Sequence, residues 1–356
     1  MCWCGARWHA AALYSPDAYA EWSLVGNSAK ICHPFAQWVA YSTLGTHLSI
    51  EGAALRVGYC DQWKYQQRGR GTKMILDFNE NKPVAALLGA GAMGLAIVRR
   101  VAAGATVLLG DVSEANLERA AESLRFSGYD VHTMLVNALN KDEVYAFAVH
   151  AAELGDVMWF VDTAGASPSQ AKPQFIIDLD LIGTSYALDA FGPVMARGGA
   201  GLVVSSQAGW MGHFTEDEEN TLALTPTDEL RELAMLQPDV VDGSGKAYIV
   251  AKRANHLRVR TAAATTWAKS HARVNTISPG IVMTPVAYDE FNAPGNTYQH
   301  MIEAGACQRV ATPDEIAAAA EFMLSAPFVT GTDLLIDGGT IAAMKSGAYE
   351  GRRNQR

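Results

Sequence analysis

Cysteine is nearly absent from most of this chain: Cys2, Cys4, Cys32 and Cys60 lie near the N-terminus, and only Cys307 lies beyond them. A disulfide framework belongs to small secreted domains, so a long cysteine-poor stretch points to a reducing, cytoplasmic setting. A metal cluster built from Cys2, Cys4, Cys32, His33 and Cys60 is disfavoured, because C-x-C followed by gaps of 27 and 27 residues lacks the paired spacing of zinc sites. The chain also lacks any run of about 18 uncharged apolar residues, which argues against a membrane span. Positive charge is scarce as well. Lysine and arginine number 28 against 37 acidic residues, and the net charge of -9 disfavours a nucleic-acid surface.

What is present describes a soluble globular protein with a sizeable core: 356 residues, 49% hydrophobic and 18% charged. Residues 1–73 differ in character from the rest. They hold five of the eight tryptophans, show no sustained helical or strand period, and carry 7 basic against 4 acidic residues. The basic n-region and compact apolar segment of a secretory signal are missing. This stretch is expected to be a dispensable N-terminal extension of uncertain structure, followed by a catalytic domain over 74–345 and a mobile tail over 346–356.

From Pro83 onward short apolar runs alternate with helical patterns. Strands are expected at 83–89, 105–110, 130–136, 156–161, 201–206, 273–278 and 333–339. Helices are expected at 92–104, from Ser113, at 141–154, around 174–197, at 246–270 and at 313–325. Such alternation implies an α/β fold, a doubly wound, mainly parallel sheet of about seven strands covered by helices on both faces.

The first strand runs into "GAGAMGLA" and then a helix, the order that a dinucleotide phosphate site requires. Gly89 permits the tight turn and Gly91 lets the backbone approach a pyrophosphate. Gly94, after Met93, lets the helix pack close to the strand, so that the phosphates meet the helix N-terminus. Asp111 follows Gly89 by 22 residues, at the end of the next strand, where a carboxylate can hold the adenosine ribose hydroxyls. The same carboxylate would repel the 2'-phosphate of NADP, and no cation stands in the glycine loop. NAD is therefore expected, with NADP disfavoured.

"AYIVAKRAN" places Tyr248 and Lys252 four residues apart on a helix. Tyrosine, with an ordinary pKa of about 10, is a poor base at neutral pH. A neighbouring ammonium and the positive ring of an oxidised nicotinamide favour the phenolate and bring it toward the working range.

With these motifs the chain resembles the short-chain dehydrogenase/reductase family over about 80–345. They occur in family order: the glycine loop, "DTAG" at 162–165 where the family usually has N-N-A-G, "VVSSQAG" at 203–209, "YIVAK" at 248–252 and "NTISPGIVMTP" at 275–285. The resemblance implies Ser206 as the serine that holds the substrate oxygen, Tyr248 as general acid/base, and Lys252 as the residue that tunes Tyr248 and holds the nicotinamide ribose. Ala164 and Gly165 would line the cofactor, and Pro279, Gly280, Ile281 and Thr284 would border its nicotinamide. Asn137 stands where an aspartate commonly meets the adenine amine. Asp180, in "DLIG", replaces the asparagine that binds the water of the proton relay; it could carry the proton itself or hold the same water.

Ser206 and Tyr248 are 42 residues apart, far more than is usual in the family. The extra segment, 210–245, is expected to cover the substrate pocket as a lid, with Trp210, Met211, Phe214 and Met235 as apolar lining. The alternative is a surface excursion whose apolar residues pack on one another. A similar insertion occurs in the bacterial 3-alpha-hydroxysteroid dehydrogenase/carbonyl reductase branch, which suggests a bulky apolar alcohol or ketone such as a steroid. The resemblance further implies a homotetramer or homodimer. Competing readings are a catalytically silent, NAD-sensing Rossmann protein and an NAD-dependent epimerase or dehydratase.

Overall fold

The computed structural model describes residues 81–284, 287 and 298–348. The expected extension, the cysteines within it, and residues 349–356 of the expected tail lie outside these. Seven strands form one sheet: β1 (Pro83–Leu88), β2 (Thr106–Asp111), β3 (Asp130–Leu135), β4 (Asp156–Asp162), β5 (Met195–Val204), β6 (Arg273–Pro279) and β7 (Asp333–Ile336). Their order is β3-β2-β1-β4-β5-β6-β7, and every neighbouring pair is parallel. The expected fold class holds. Central strands such as β1 read as unbroken apolar runs because helices cover both faces: Val84 to Leu88 are all buried.

On one face α1 (Ala92–Val101), α2 (Glu114–Phe126) and α10 (Pro313–Ser325) bury Ile97, Leu117, Leu124 and Ile316 against Leu87, Leu109 and Leu202. On the other, α3 (Lys141–Leu154), α5 (Thr184–Phe191) and the end of α7 (Ser244–Ala264) enclose Phe147, Phe160, Phe191 and Trp267. The Phe160 and Phe191 rings stack at 3.7 Å between centroids. Because β1 lies between β2 and β4, the chain reverses direction across the sheet there. The space beyond the carboxyl ends of these strands, here called the crevice, is the place where open α/β sheets take ligands.

One expected element differs. The helix expected around 174–197 is broken into α4 (Pro173–Ile176), a π-helical turn (Ile177–Gly183) and α5, and β5 begins as early as Met195. Pro193 has no N–H to continue the helix, and the chain passes through a short 3-10 turn, Gly192–Val194, before the strand starts. The π turn carries Asp180 at its centre, fully buried. Gly183 is needed at its end, since a Cβ there would sit 2.9 Å from the Ala138 carbonyl oxygen.

The segment 210–245 forms α6 (Glu216–Leu224), opened by a Thr215/Glu218 capping box, and two 3-10 turns at Thr227–Glu232 and Ala234–Leu236. Its apolar residues Leu222, Ala223, Leu230, Leu236 and Val241 pack with Ile176, Ile177 and Leu181 and with Val250, Ala254 and Leu257 of α7. Polar contacts hold it there. Arg253 pairs with Glu219, Lys141 with Asp228 and Arg231 with Asp178. Buried Arg258 donates to the Leu222 and Thr225 carbonyls and to the Thr227 hydroxyl. Two further helices were not foreseen, α9 (Tyr298–Ala304) and α11 (Thr340–Lys345), with a short α8 (Thr266–Lys269) after α7. Among the described residues no helix is long and apolar enough to cross a membrane, and no group of acidic, histidine or cysteine residues could hold a metal ion.

Candidate active site

The glycine loop follows β1 into α1 at the crevice. Gly89 has φ +91, and a Cβ on it would lie 2.7 Å from the Ala164 nitrogen. A Cβ on Gly94 would meet Leu87 Cδ1 at 2.7 Å and the Gly89 carbonyl oxygen at 2.9 Å, so helix and strand are in direct contact. Gly91 is the opposite case: it caps α1 without a side-chain hydrogen bond, and a Cβ on it would meet nothing within 4 Å. Open space therefore lies before a ten-residue helix whose first N–H groups lack helical partners, which fits a phosphate group. Met93 is half-buried against the core beneath the loop.

Asp111 closes the side of this loop. Its Oδ2 accepts the Ala90 N–H and its Oδ1 the Ser113 N–H, both at 2.8 Å. These bonds fix the carboxylate against the loop and leave lone pairs for further donors. Asn137 is turned inward. Its Oδ1 accepts the Leu139 N–H at 3.0 Å, while its backbone N–H donates to Glu143 at 2.8 Å. The acceptor end of the amide is thus engaged within the turn after β3.

Across the crevice, β5 ends beside α7. Ser205 donates its hydroxyl proton to the Lys252 carbonyl at 2.9 Å, fastening the strand end that carries Ser206 to the helical turn that carries Lys252. Ser206 is half-buried and begins a 3-10 turn, its Oγ accepting the Ala208 N–H at 3.1 Å. Tyr248 is half-buried, and the Lys252 Nζ stands 5.2 Å from its ring centroid. The ammonium itself is buried, and its Nζ lies 3.0 Å from Oδ2 of Asp180. Asp180 Oδ1 accepts the Ala166 N–H at 2.8 Å. Burial pushes the Asp180 carboxyl up, with Lys252 opposing. Burial also works against the lysine's charge, but the neighbouring acid and phenol outweigh it and hold Lys252 above its ordinary range.

Gly165 follows Ala164 at the surface of the crevice, and a Cβ on it would lie 3.4 Å from both Asp180 oxygens and from the Lys252 Nζ. Beyond β6, the Gly280 N–H bonds the Ile336 carbonyl at 2.7 Å, and a Cβ at 280 would sit 2.7 Å from the Asp337 Cα. Pro279 is buried at the end of β6. The backbone after it is already occupied: the Ile281 carbonyl accepts the Ala311 N–H at 2.9 Å, and the Met283 N–H donates to the Ala311 carbonyl at 2.8 Å. Thr284 Oγ1 accepts the Ala287 N–H at 3.2 Å.

Residues 233–340 match the family model described as enoyl-(acyl carrier protein) reductase. The short-chain dehydrogenase/reductase bsc3 of Alternaria brassicicola is 38% identical over 263 residues, 72% of this chain and 94% of that protein. The chain belongs to the short-chain dehydrogenase/reductase family. A 3-alpha-hydroxysteroid dehydrogenase/carbonyl reductase of Comamonas testosteroni is 30% identical over 189 residues, 51% of this chain and 72% of that protein. A solved short-chain dehydrogenase/reductase from Serratia marcescens, 19% identical, matches with a TM-score of 0.57 over 73% of this chain and 98% of its own, which shows the shared fold.

Against the usual pattern of the short-chain dehydrogenase/reductase family, the direct contact between Lys252 and Asp180 is a departure. A carboxylate stands where the family's asparagine serves a water, and it reaches the ammonium itself. A second group of residues was not foreseen as a network, and Trp210, expected only as apolar lining of a lid, is part of it. Trp210 Nε1 donates to Asp333 Oδ2 at 2.7 Å, Ser278 Oγ donates to Asp333 Oδ1 at 2.8 Å, and His256 Nε2 lies 2.8 Å from Ser278 Oγ. With the serine proton given to Asp333, His256 is assigned as the Nε2–H donor. Burial lowers its pKa to about 4, so the ring is neutral at physiological pH. This network joins the turn after Ser206, α7, β7 and β6 just before Pro279. Its members come from segments 22 to 123 residues apart, a separation that no local pattern reports.

Proposed function

We propose that this protein is an NAD-dependent oxidoreductase that interconverts a secondary alcohol and a ketone. The observation that carries the reading is the placement of the Lys252 ammonium 5.2 Å from the Tyr248 ring, beside the crevice that the glycine loop borders. Gly89, Gly91, Met93 and Gly94 would hold the pyrophosphate, Asp111 the adenosine ribose, and Lys252 the nicotinamide ribose. Ala164, Gly165, Pro279, Gly280, Ile281 and Thr284 would border the rest of the dinucleotide, and Asn137 the adenine. When bound, NAD supplies the acceptor or donor of hydride. The chain's part is the proton. Tyr248 takes it from, or gives it to, the substrate oxygen. Ser206 hydrogen-bonds that oxygen while charge develops on it, and the ammonium beside the ring stabilises the phenolate. Asp180, in contact with Lys252, stands as the next group along that path.

Substrate choice is a further part of the proposal. The hydroxysteroid dehydrogenase relative and the half-buried Met211 and Phe214 after the catalytic strand favour a bulky apolar hydroxy or oxo compound such as a steroid. A homodimer or homotetramer belongs to the same reading, with contacts away from the flank of α7 that α6 covers.

The experiment is a panel of hydroxysteroids, polyols and small secondary alcohols offered with NAD or NADP, read by the absorbance of the reduced nicotinamide. NAD-linked oxidation of a bulky apolar alcohol is expected to lead. Tight NADH binding with no turnover across the panel would instead support the nucleotide-sensing alternative. Cofactor choice has its own test. Val112 is 67% exposed beside Asp111, so Asp111→Ala with Val112→Arg is expected to raise NADP use about tenfold, or ~1.4 kcal/mol, in kcat/KM. An unchanged NADP rate would remove Asp111 from the ribose role.

A further inference from the structure

Beside the Lys252–Asp180 pair lies a second acid. Asp162 ends β4 at 2% exposure, with Asp180 at 0% and Lys252 at 4%. Its Oδ1 accepts the Ala164 N–H at 3.0 Å, and its Oδ2 is sealed from solvent without a hydrogen-bond partner. The groups that face it are Lys252 from α7, Asp180 from the π turn and the Thr184 hydroxyl from α5. Two buried carboxyls thus share one buried ammonium. Ionising both would leave an uncompensated charge in a medium that solvates it poorly. Asp180 has the ammonium at 3.0 Å and a backbone donor; Asp162 has a backbone donor and the facing Thr184 hydroxyl, both neutral.

We propose that Asp162 is a positioning residue that holds a proton and so keeps the Lys252–Asp180 pair electrically balanced, releasing that proton to solvent as pH rises. The inference rests on the proposed alcohol–ketone chemistry only for its effect on rate. On release, the cluster passes from neutral to one net negative charge. The new charge opposes a second anion on Tyr248, and alcohol oxidation, which needs that anion, becomes harder. Burial pushes Asp162 up to about 7, with Asp180 adding to the rise and Ala164, Lys252 and Thr184 opposing it. Release therefore falls in the working range.

The sign of the stability effect follows. A carboxyl whose folded pKa lies above its unfolded value binds its proton more tightly in the folded state. Stability is then lost as pH climbs from the unfolded value, ~4, and the loss is complete above the folded value, ~7. Asp162→Asn removes the titration and keeps the shape. Thermal melts of the unliganded protein should show the variant gaining on wild type between about pH 4 and 7, with a constant gap above. In kcat/KM for alcohol oxidation, the rising limb should move about one unit toward acid in the variant. Melting curves that stay parallel with pH would overturn the proposal. A variant that gains on wild type as expected, in a protein that oxidises no alcohol, would uphold it and overturn the functional reading alone. Should the variant not fold, infrared difference spectra of wild type decide: a protonated-carboxyl band lost between about pH 6 and 8 upholds the proposal, and no band at the acid end overturns it.

Discussion

Tyr248→Phe should bind NADH as wild type does and lose turnover by roughly 10²- to 10⁴-fold, the usual contribution of a positioned acid/base group. The substitution deletes one hydroxyl from a half-buried side chain, leaving Lys252, Asp180 and the glycine loop in place. Binding is read by NADH fluorescence and turnover by absorbance. The expected split is a fall in kcat with nucleotide affinity unchanged. Retained turnover would remove Tyr248 from the chemistry. Loss of both would mean that the hydroxyl, with the ring still in place, is needed to hold the nucleotide.

Lys252→Met has a larger structural reach. The methionine fills much of the same volume but leaves Asp180 and Asp162 buried with no cation. Removing one partner of a buried pair costs about 3–5 kcal/mol. The direction with pH is fixed by the acids: both bind protons more tightly when folded, so the cost is greater at high pH than at low. Urea unfolding at about pH 5 and 8 should show the deficit widening at the higher value. Activity should fall with it, since the charge beside Tyr248 is gone. A deficit equal at both values would mean that neither acid takes up a proton in the variant.

Much of the fold was legible because burial on both faces writes itself into composition. β1 is wholly apolar and β2 and β4 are apolar between their ends, and the helix expected at 141–154 starts where the structure shows Asn140 capping it, its side chain accepting the Asp142 and Glu143 N–H groups. The π turn was not legible, since Ile177 to Gly183 has the composition of an ordinary helix and only packing against Ala138 and Lys252 distinguishes it. The glycine loop could be read because each glycine answers to a local clash or opening. Asp162 could be read only as a departure from a motif. What it does depends on Asp180 and Lys252, which approach it through folding. The segment 210–245 shows the same limit: its apolar residues suggested a lid or packing on one another, but not that several of them would bury against α7 and the π turn.

The π turn has one further consequence. Such a turn holds one residue more than the helix it interrupts, and each residue of an α-helix advances the phase by about 100°. Trimming a single residue from this stretch would restore regular winding and swing Asp180 toward a neighbouring face, away from the ammonium. Loops as a class tolerate changes in length, but this buried turn would not, and its register decides which side chain meets Lys252.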